Sequence, residues 1–191
     1  NNLKIHDIDF NEINGGSVEI TCIKKSSKLR INKKKINYYL NEERNINKNS
    51  YINLQKRIDN TKNILNILLN NINKNEIIGY GASTKGNIVL NHCGINSNQI
   101  KYICDANSEK HGKFTPGSNI KIISKEKMRK LNPKYLLVFI WSFRKEVIIQ
   151  EEDYLKKGGT LIFHLPSLHV INKFNYKNYI NDNFETFSFN F

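Results

Sequence analysis

The residues best suited to chemistry sit in one block, Gly79-Tyr80-Gly81-Ala82-Ser83-Thr84-Lys85-Gly86-Asn87, where the apolar run Ile77-Ile78 meets a glycine-rich turn and then a helical segment. Glycines at 79 and 81 let backbone approach a phosphate, the start of a helix offers unpaired amides, and Ser83, Thr84 and Lys85 add hydroxyl and ammonium donors. The chemistry this suits is anion binding. The same glycines also serve a purely geometric end, close contact between a strand and a helix. Asp105 closes the next apolar run, where a dinucleotide fold holds a ribose hydroxyl, but the spacing Gly79-x-Gly81-x-x-x-x-Gly86 departs from GxGxxG.

Two further segments follow strand-like runs and so fall on the rim where open α/β sheets bind ligands. One is the polar stretch from Asp105 to Gly117, with Lys113 and Thr115 as candidate phosphate or sugar contacts, or an ordinary turn built on Pro116-Gly117. The other is Trp141-Ser142-Phe143-Arg144. There Trp141 is placed to stack on a base or sugar and Arg144 to pair with phosphate, against the alternative of an aromatic core plug on a solvated helix. No catalytic set emerges: the sequence has no GxSxG elbow, no HxxxH pair, and Cys22, Cys93 and Cys104 form no CxxC. Neither catalytic residues nor metal ligands are expected in this chain.

The elements that must position these residues are legible as periodicity. Leu3 to Phe10 and Ser17 to Ile23 alternate around Asn14-Gly15-Gly16, predicting a β-hairpin. The polar stretch after Lys24 reads as a linker with a short helix near 37–45. Tyr51, Leu54, Ile58, Leu65 and Leu68 recur at helical spacing after Ser50, predicting an amphipathic helix to about Leu69. Strands over 76–80, 100–104, 120–123, 135–140 and 160–163 then alternate with helices over 84–92, 125–131 and 143–156. That alternation predicts an α/β fold with a doubly wound, mostly parallel sheet, preceded by the hairpin and a helical linker. The expected domains are 1–25, 26–49, 50–170 and an aromatic, Asn-rich tail over 171–191, whose ending Phe187-Ser-Phe-Asn-Phe191 suits an edge strand or an extended arm.

The formal charge of +13 favours anionic partners. Lys, Asn and Ile dominate the chain, however, and their codons can be written with A and T alone, so base composition accounts for the excess without selection for nucleic acid. The lysines are scattered apart from Lys33-Lys34-Lys35. With no apolar run of membrane-spanning length and no secretory leader pattern, a soluble cytoplasmic protein without membrane or nucleic-acid partners is expected.

Taken together, several blocks resemble one family. Asn14-Gly15-Gly16-Ser17, the block from Gly79 to Asn87, Asp105 through Thr115-Pro116-Gly117, Trp141-x-Phe143-Arg144-x-Glu146, and Gly158-Gly159 to Leu165-Pro166 resemble, in order and spacing, the carboxy-terminal domain of S-adenosylmethionine-dependent sugar C-methyltransferases. The resemblance runs to about Pro166. It implies a Rossmann-like domain that holds the nucleotide-sugar of deoxysugar biosynthesis, a dTDP-sugar above all. It also implies a zinc-binding amino-terminal domain and a central domain that binds S-adenosylmethionine and supplies the base. That base removes the proton beside a sugar ketone before the methyl group is taken up.

This sequence shows no zinc-ligand set, no adenosylmethionine loop near its start and no Glu-His motif, and residues 1–25 resemble the last hairpin of the central domain. It therefore reads as a fragment or stand-alone relative unable to methylate alone. Under the resemblance, Gly79, Tyr80, Gly81, Ala82, Ser83, Thr84, Lys85, Gly86 and Asn87 surround the phosphates or sugar, Lys85 supplying charge, with Asp105, Lys113, Thr115, Trp141 and Arg144 as neighbours. Two other readings stand beside it: a dinucleotide-binding module of an oxidoreductase, and a basic nucleic-acid-binding module.

Overall fold

The structure, a computed structural model, describes residues 1–11 and 13–181. The chain divides into two units, one up to Arg57 and one from Ile58 onward. In the first, β1 (Leu3–Asn11) and β2 (Ser17–Lys24) form the expected antiparallel hairpin, with Ile8 opposite Ile20 and Phe10 opposite Val18. Asn14, Gly15 and Gly16 take φ of 58°, 81° and 117°, the left-handed conformations that Asn and Gly enter at least cost.

The helix of the linker segment, α1 (Lys33–Arg44), begins earlier than the sequence pattern suggested. Asn32 starts it by accepting a hydrogen bond from the Lys35 amide at 3.4 Å. Lys35 itself is ion-paired with Asp7, at 3.5 Å, and with Asp9, so one residue of the basic run is tied to carboxylates of β1. Tyr39 meets Phe10 with ring centroids 4.7 Å apart. α2 (Lys48–Asn70) then continues into the second unit, where Leu65 and Leu69 are buried.

The second unit contains β3 (Ile77–Tyr80), α3 (Thr84–Cys93), β4 (Tyr102–Cys104), β5 (Lys121–Ile123), α4 (Lys125–Leu131), β6 (Tyr135–Val138), α5 (Arg144–Gln150), α6 (Glu152–Lys156), β7 (Thr160–Phe163), β8 (His169–Ile171) and α7 (Tyr176–Asn181). The sheet order is β5-β4-β3-β6-β7-β8, parallel except for β8. Successive strands run outward from β3 in one direction and from β6 in the other, so the order reverses between these two. Leu136, Leu137 and Val138 of β6 are fully buried because helices cover both faces of the sheet. Leu90, Ile103, Leu137 and Ile162 belong to the core on one face, and Ile78, Val138, Val147 and Phe163 to the core on the other.

Two expectations are corrected here. The continuous helix over 143–156 is instead a 3-10 turn, Trp141–Phe143, followed by α5 and α6, which part at Glu151 (φ −108°, ψ 21°). The break lets the Glu151 side chain enter the interior, where it finds partners described below. The first edge strand beyond Pro166 is β8, and α7 follows it, so part of the segment read as tail is regular structure. The alternation over Phe187–Phe191 lies outside the described residues. Among the described residues, no helix is long and apolar enough to cross a membrane.

Candidate functional site

The reversal between β3 and β6 opens a crevice at their carboxyl ends, the position where doubly wound sheets take ligands. A cleft of about 330 Å³ lies there. Tyr80 and Gly81 line it from the end of β3, and Cys104, Asp105 and Ala106 from the end of β4. Lys125 comes from α4, and Ile140, Phe143, Glu146 and Gln150 from the segment after β6.

The glycines of the turn are explained by their neighbours. A Cβ on Gly79 would lie 2.9 Å from Ile103 Cγ1, and one on Gly86 would lie 2.8 Å from Phe139 Cβ. Gly81 has φ of 91° and its Cβ would meet Ile140 Cγ2 at 2.6 Å. Ser83 caps α3, its hydroxyl accepting from the Gly86 amide at 3.0 Å. Thr84 and Lys85 are exposed on the first turn of α3, and Ala82 is buried behind it.

Asp105 stands at the end of the second strand, as the spacing suggested, but its carboxylate is engaged. Lys110 Nζ lies 3.2 Å from it and also donates to the Ala82 carbonyl at 3.0 Å, tying the loop after β4 to the loop after β3. The Asn107 amide donates to the other carboxylate oxygen at 2.9 Å.

The remaining candidates are dispersed. Thr115 is buried in its own turn, exchanging hydrogen bonds with Ser118 Oγ at 2.7 Å and the Ile120 amide at 2.9 Å. Lys113 is exposed, and Asn87 is half-buried with no hydrogen-bond partner for its buried Oδ1 among the described residues. Trp141 packs against the core at the start of the 3-10 turn. Arg144 is 5% exposed, its guanidinium 4.9 Å from the centroid of Tyr179 in α7. The structure thus brings Tyr80, Gly81 and Asp105 to the cleft, while Lys113, Thr115, Trp141 and Arg144 are not among the residues that line it.

Beneath the cleft lies a polar network that the sequence did not announce. The Glu151 side chain is 1% exposed and accepts from Arg129 Nη2 at 3.1 and 3.2 Å and from the Tyr80 hydroxyl at 2.9 Å. Lys125 donates to the Tyr80 hydroxyl and, at 2.7 Å, to Gln150 Oε1. Burial, reinforced by the Glu151 carboxylate, pushes the Tyr80 phenol up, so it stays protonated and serves as a donor. Burial likewise pushes the Cys104 thiol up to about 12, which makes it an unreactive wall of the cleft. Lys125, Phe143, Glu146 and Gln150 were missed although a signal existed: Lys125 stands just beyond the carboxyl end of β5, and the other three follow that of β6. Glu151 had no such signal.

His164 follows β7, with Nδ1 3.1 Å from the Val138 carbonyl. Burial holds its pKa down at about 4, opposed by that carbonyl. The imidazole is therefore neutral in the folded chain when its unfolded counterpart, near 6.5, has begun to protonate. The contribution to stability is complete above the unfolded value and is lost as pH falls from there toward the folded value, by about 3 kcal/mol in all. Urea unfolding at neutral and acid pH should show a steeper acid loss for the unaltered chain than for His164→Gln. Parallel losses in the two would refute the assignment.

The comparisons with known proteins bear on the whole arrangement. Residues 12–166 match the family model described as the C-methyltransferase C-terminal domain. The chain belongs to that family. It is also 38% identical over 95 residues to C-methyltransferase NovU of Streptomyces niveus, a stretch covering 50% of this chain and 23% of that relative. The match thus spans less than a quarter of NovU's length, and the residues matched by the family model include both walls of the switch-point cleft.

Proposed function

We propose that this chain is the nucleotide-sugar-binding domain of an S-adenosylmethionine-dependent sugar C-methyltransferase, with a dTDP-sugar as its ligand. The observation that carries the reading is the cleft at the carboxyl ends of β3 and β6 in a member of the C-methyltransferase C-terminal domain family. Its walls offer what a sugar nucleotide needs: the aromatic Phe143 at the rim, the ammonium of Lys125 and the carboxylate of Glu146. Lys85, Thr84 and the first turn of α3 stand at the end of the same strand and supply further donors to phosphate.

S-adenosylmethionine supplies the methyl group when bound, and we assign its site, with the base, to other domains of such an enzyme. The carboxylate this fold would offer a ribose, Asp105, is already paired with Lys110 and the Asn107 amide. Zinc is assigned elsewhere too, since no group of three or more His, Cys, Asp or Glu among the described residues is placed to hold a metal. The part played by this chain is to bind and orient the sugar nucleotide.

Calorimetric titration of the chain with dTDP and a dTDP-sugar, beside S-adenosylmethionine and NADH, tests the reading. Heat from the two dTDP ligands alone is expected. Binding of NADH in their place would favour the oxidoreductase module instead. Lys85→Ala is expected to weaken dTDP by about 1 kcal/mol, the scale of one exposed charge-assisted contact, and an unchanged affinity would take Lys85 out of the site.

A further inference from the structure

We propose that Lys125 is the residue that grips the anionic group of the ligand in the switch-point cleft, with Tyr80 and buried Glu151 acting beneath it as positioning residues. The inference rests on the nucleotide-sugar reading and deepens it. Lys125 opens α4 directly after β5, and its side chain, 24% exposed, crosses the ring of Tyr80 with Nζ 4.6 Å from the centroid. An ammonium has three protons. One goes to the Tyr80 hydroxyl and one to Gln150 Oε1. Glu151, at 3.7 Å, is beyond hydrogen-bond distance, and no other described residue takes the third.

Charge bookkeeping points the same way. The single negative charge of Glu151 is shared by Arg129 at 3.1 Å and Lys125 at 3.7 Å, so the pair of cations exceeds the anion by one. Asp105, the other carboxylate of the inner wall, is matched by Lys110. Glu146 lines the cleft from α5 and is exposed to water. It repels a phosphate on its own side, which directs the anionic end toward Lys125. A lysine held this way has lost much of its rotamer freedom before the ligand arrives, which lowers the entropy cost of gripping it. Lys85, by contrast, is exposed on the first turn of α3 and is not among the residues lining the cleft.

The test is titration of the 191-residue chain with dTDP and with inorganic pyrophosphate at two salt concentrations, for the unaltered protein, Lys125→Met, Lys125→Arg, Tyr80→Phe and Lys85→Ala. Lys125→Met should weaken dTDP roughly ten- to a hundredfold and flatten the salt dependence, while Lys125→Arg restores most of the affinity. Tyr80→Phe should weaken binding by a smaller factor with the salt dependence kept, since the ammonium remains but is less firmly held. If Lys125→Met does not fold, acetylation of the unaltered chain decides: bound dTDP should protect Lys125, and more strongly than the exposed Lys85. Binding of dTDP by Lys125→Met within twofold of the unaltered chain, or equal acetylation of Lys125 with and without dTDP, overturns this inference and leaves the nucleotide-sugar reading standing. No binding of dTDP by the unaltered chain overturns both.

Discussion

Gly81→Ala is expected to destabilise the unit that begins at Ile58 by about 3 kcal/mol, the sum of about 1 to 2 for a side chain at positive φ and about 1 to 3 for forcing a methyl into filled space. The φ at Gly81 is 91°, and the added Cβ would meet Ile140 Cγ2 at 2.6 Å and Cγ1 at 3.1 Å. Neither atom is the far end of a flexible chain, so Ile140 must move bodily or the turn must open. Gly112→Ala separates the two causes. Gly112 also has positive φ, 81°, but nothing lies within 4 Å of its added Cβ, so only the conformational part, about 1 kcal/mol, should appear. Urea unfolding of both variants measures the difference. If Gly81→Ala costs no more than Gly112→Ala, contact with Ile140 is not what requires the glycine, and close approach by a ligand becomes the stronger account of the turn. Ile140 also lines the cleft, so the same substitution should disturb ligand binding.

The difference between what was and was not legible in the sequence follows from where each partner comes from. The strands from 77 onward were readable because their burial on both faces leaves continuous apolar runs such as Leu136-Leu137-Val138. The start of the glycine turn was readable because its capping serine and helix are local. The cleft was only half readable. Its position follows from alternation and the switch-point rule, but its charged wall joins Tyr80, Lys125 and Gln150, which no periodicity links. Arg144 shows the converse case. A cation after a strand end suggested phosphate, and the fold lays its guanidinium against the aromatic ring of Tyr179 in α7, a partner that no local pattern announces. α7 itself was hidden in a segment whose Asn and Tyr content resembles a tail.

Glu151 is the sharpest case, and its removal is the second large effect expected. In the sequence it heads the run Glu151-Glu152-Asp153, which reads as a solvated helix face. In the fold the helix breaks there, and Glu151 turns inward to 1% exposure while Glu152 stays outside, 3.0 Å from Lys156. Glu151→Ala would leave Tyr80 without the carboxylate its hydroxyl donates to and Lys125 facing Arg129 with no anion between them. Breaking a buried pair by removing one partner costs about 3 to 5 kcal/mol. Arg129 is 55% exposed and free to turn toward water, which places the expected loss near the lower end, about 3 kcal/mol. Glu152→Ala removes an exposed helix pair and the acceptor of the Tyr176 hydroxyl at 3.1 Å, and should change stability by only about 1 kcal/mol. Equal losses for the two glutamates in denaturant unfolding would show that the network does not stabilise the fold. A large loss for Glu151 alone, with Glu151→Gln between them, would show that one buried charge supports both the core and the wall of the cleft.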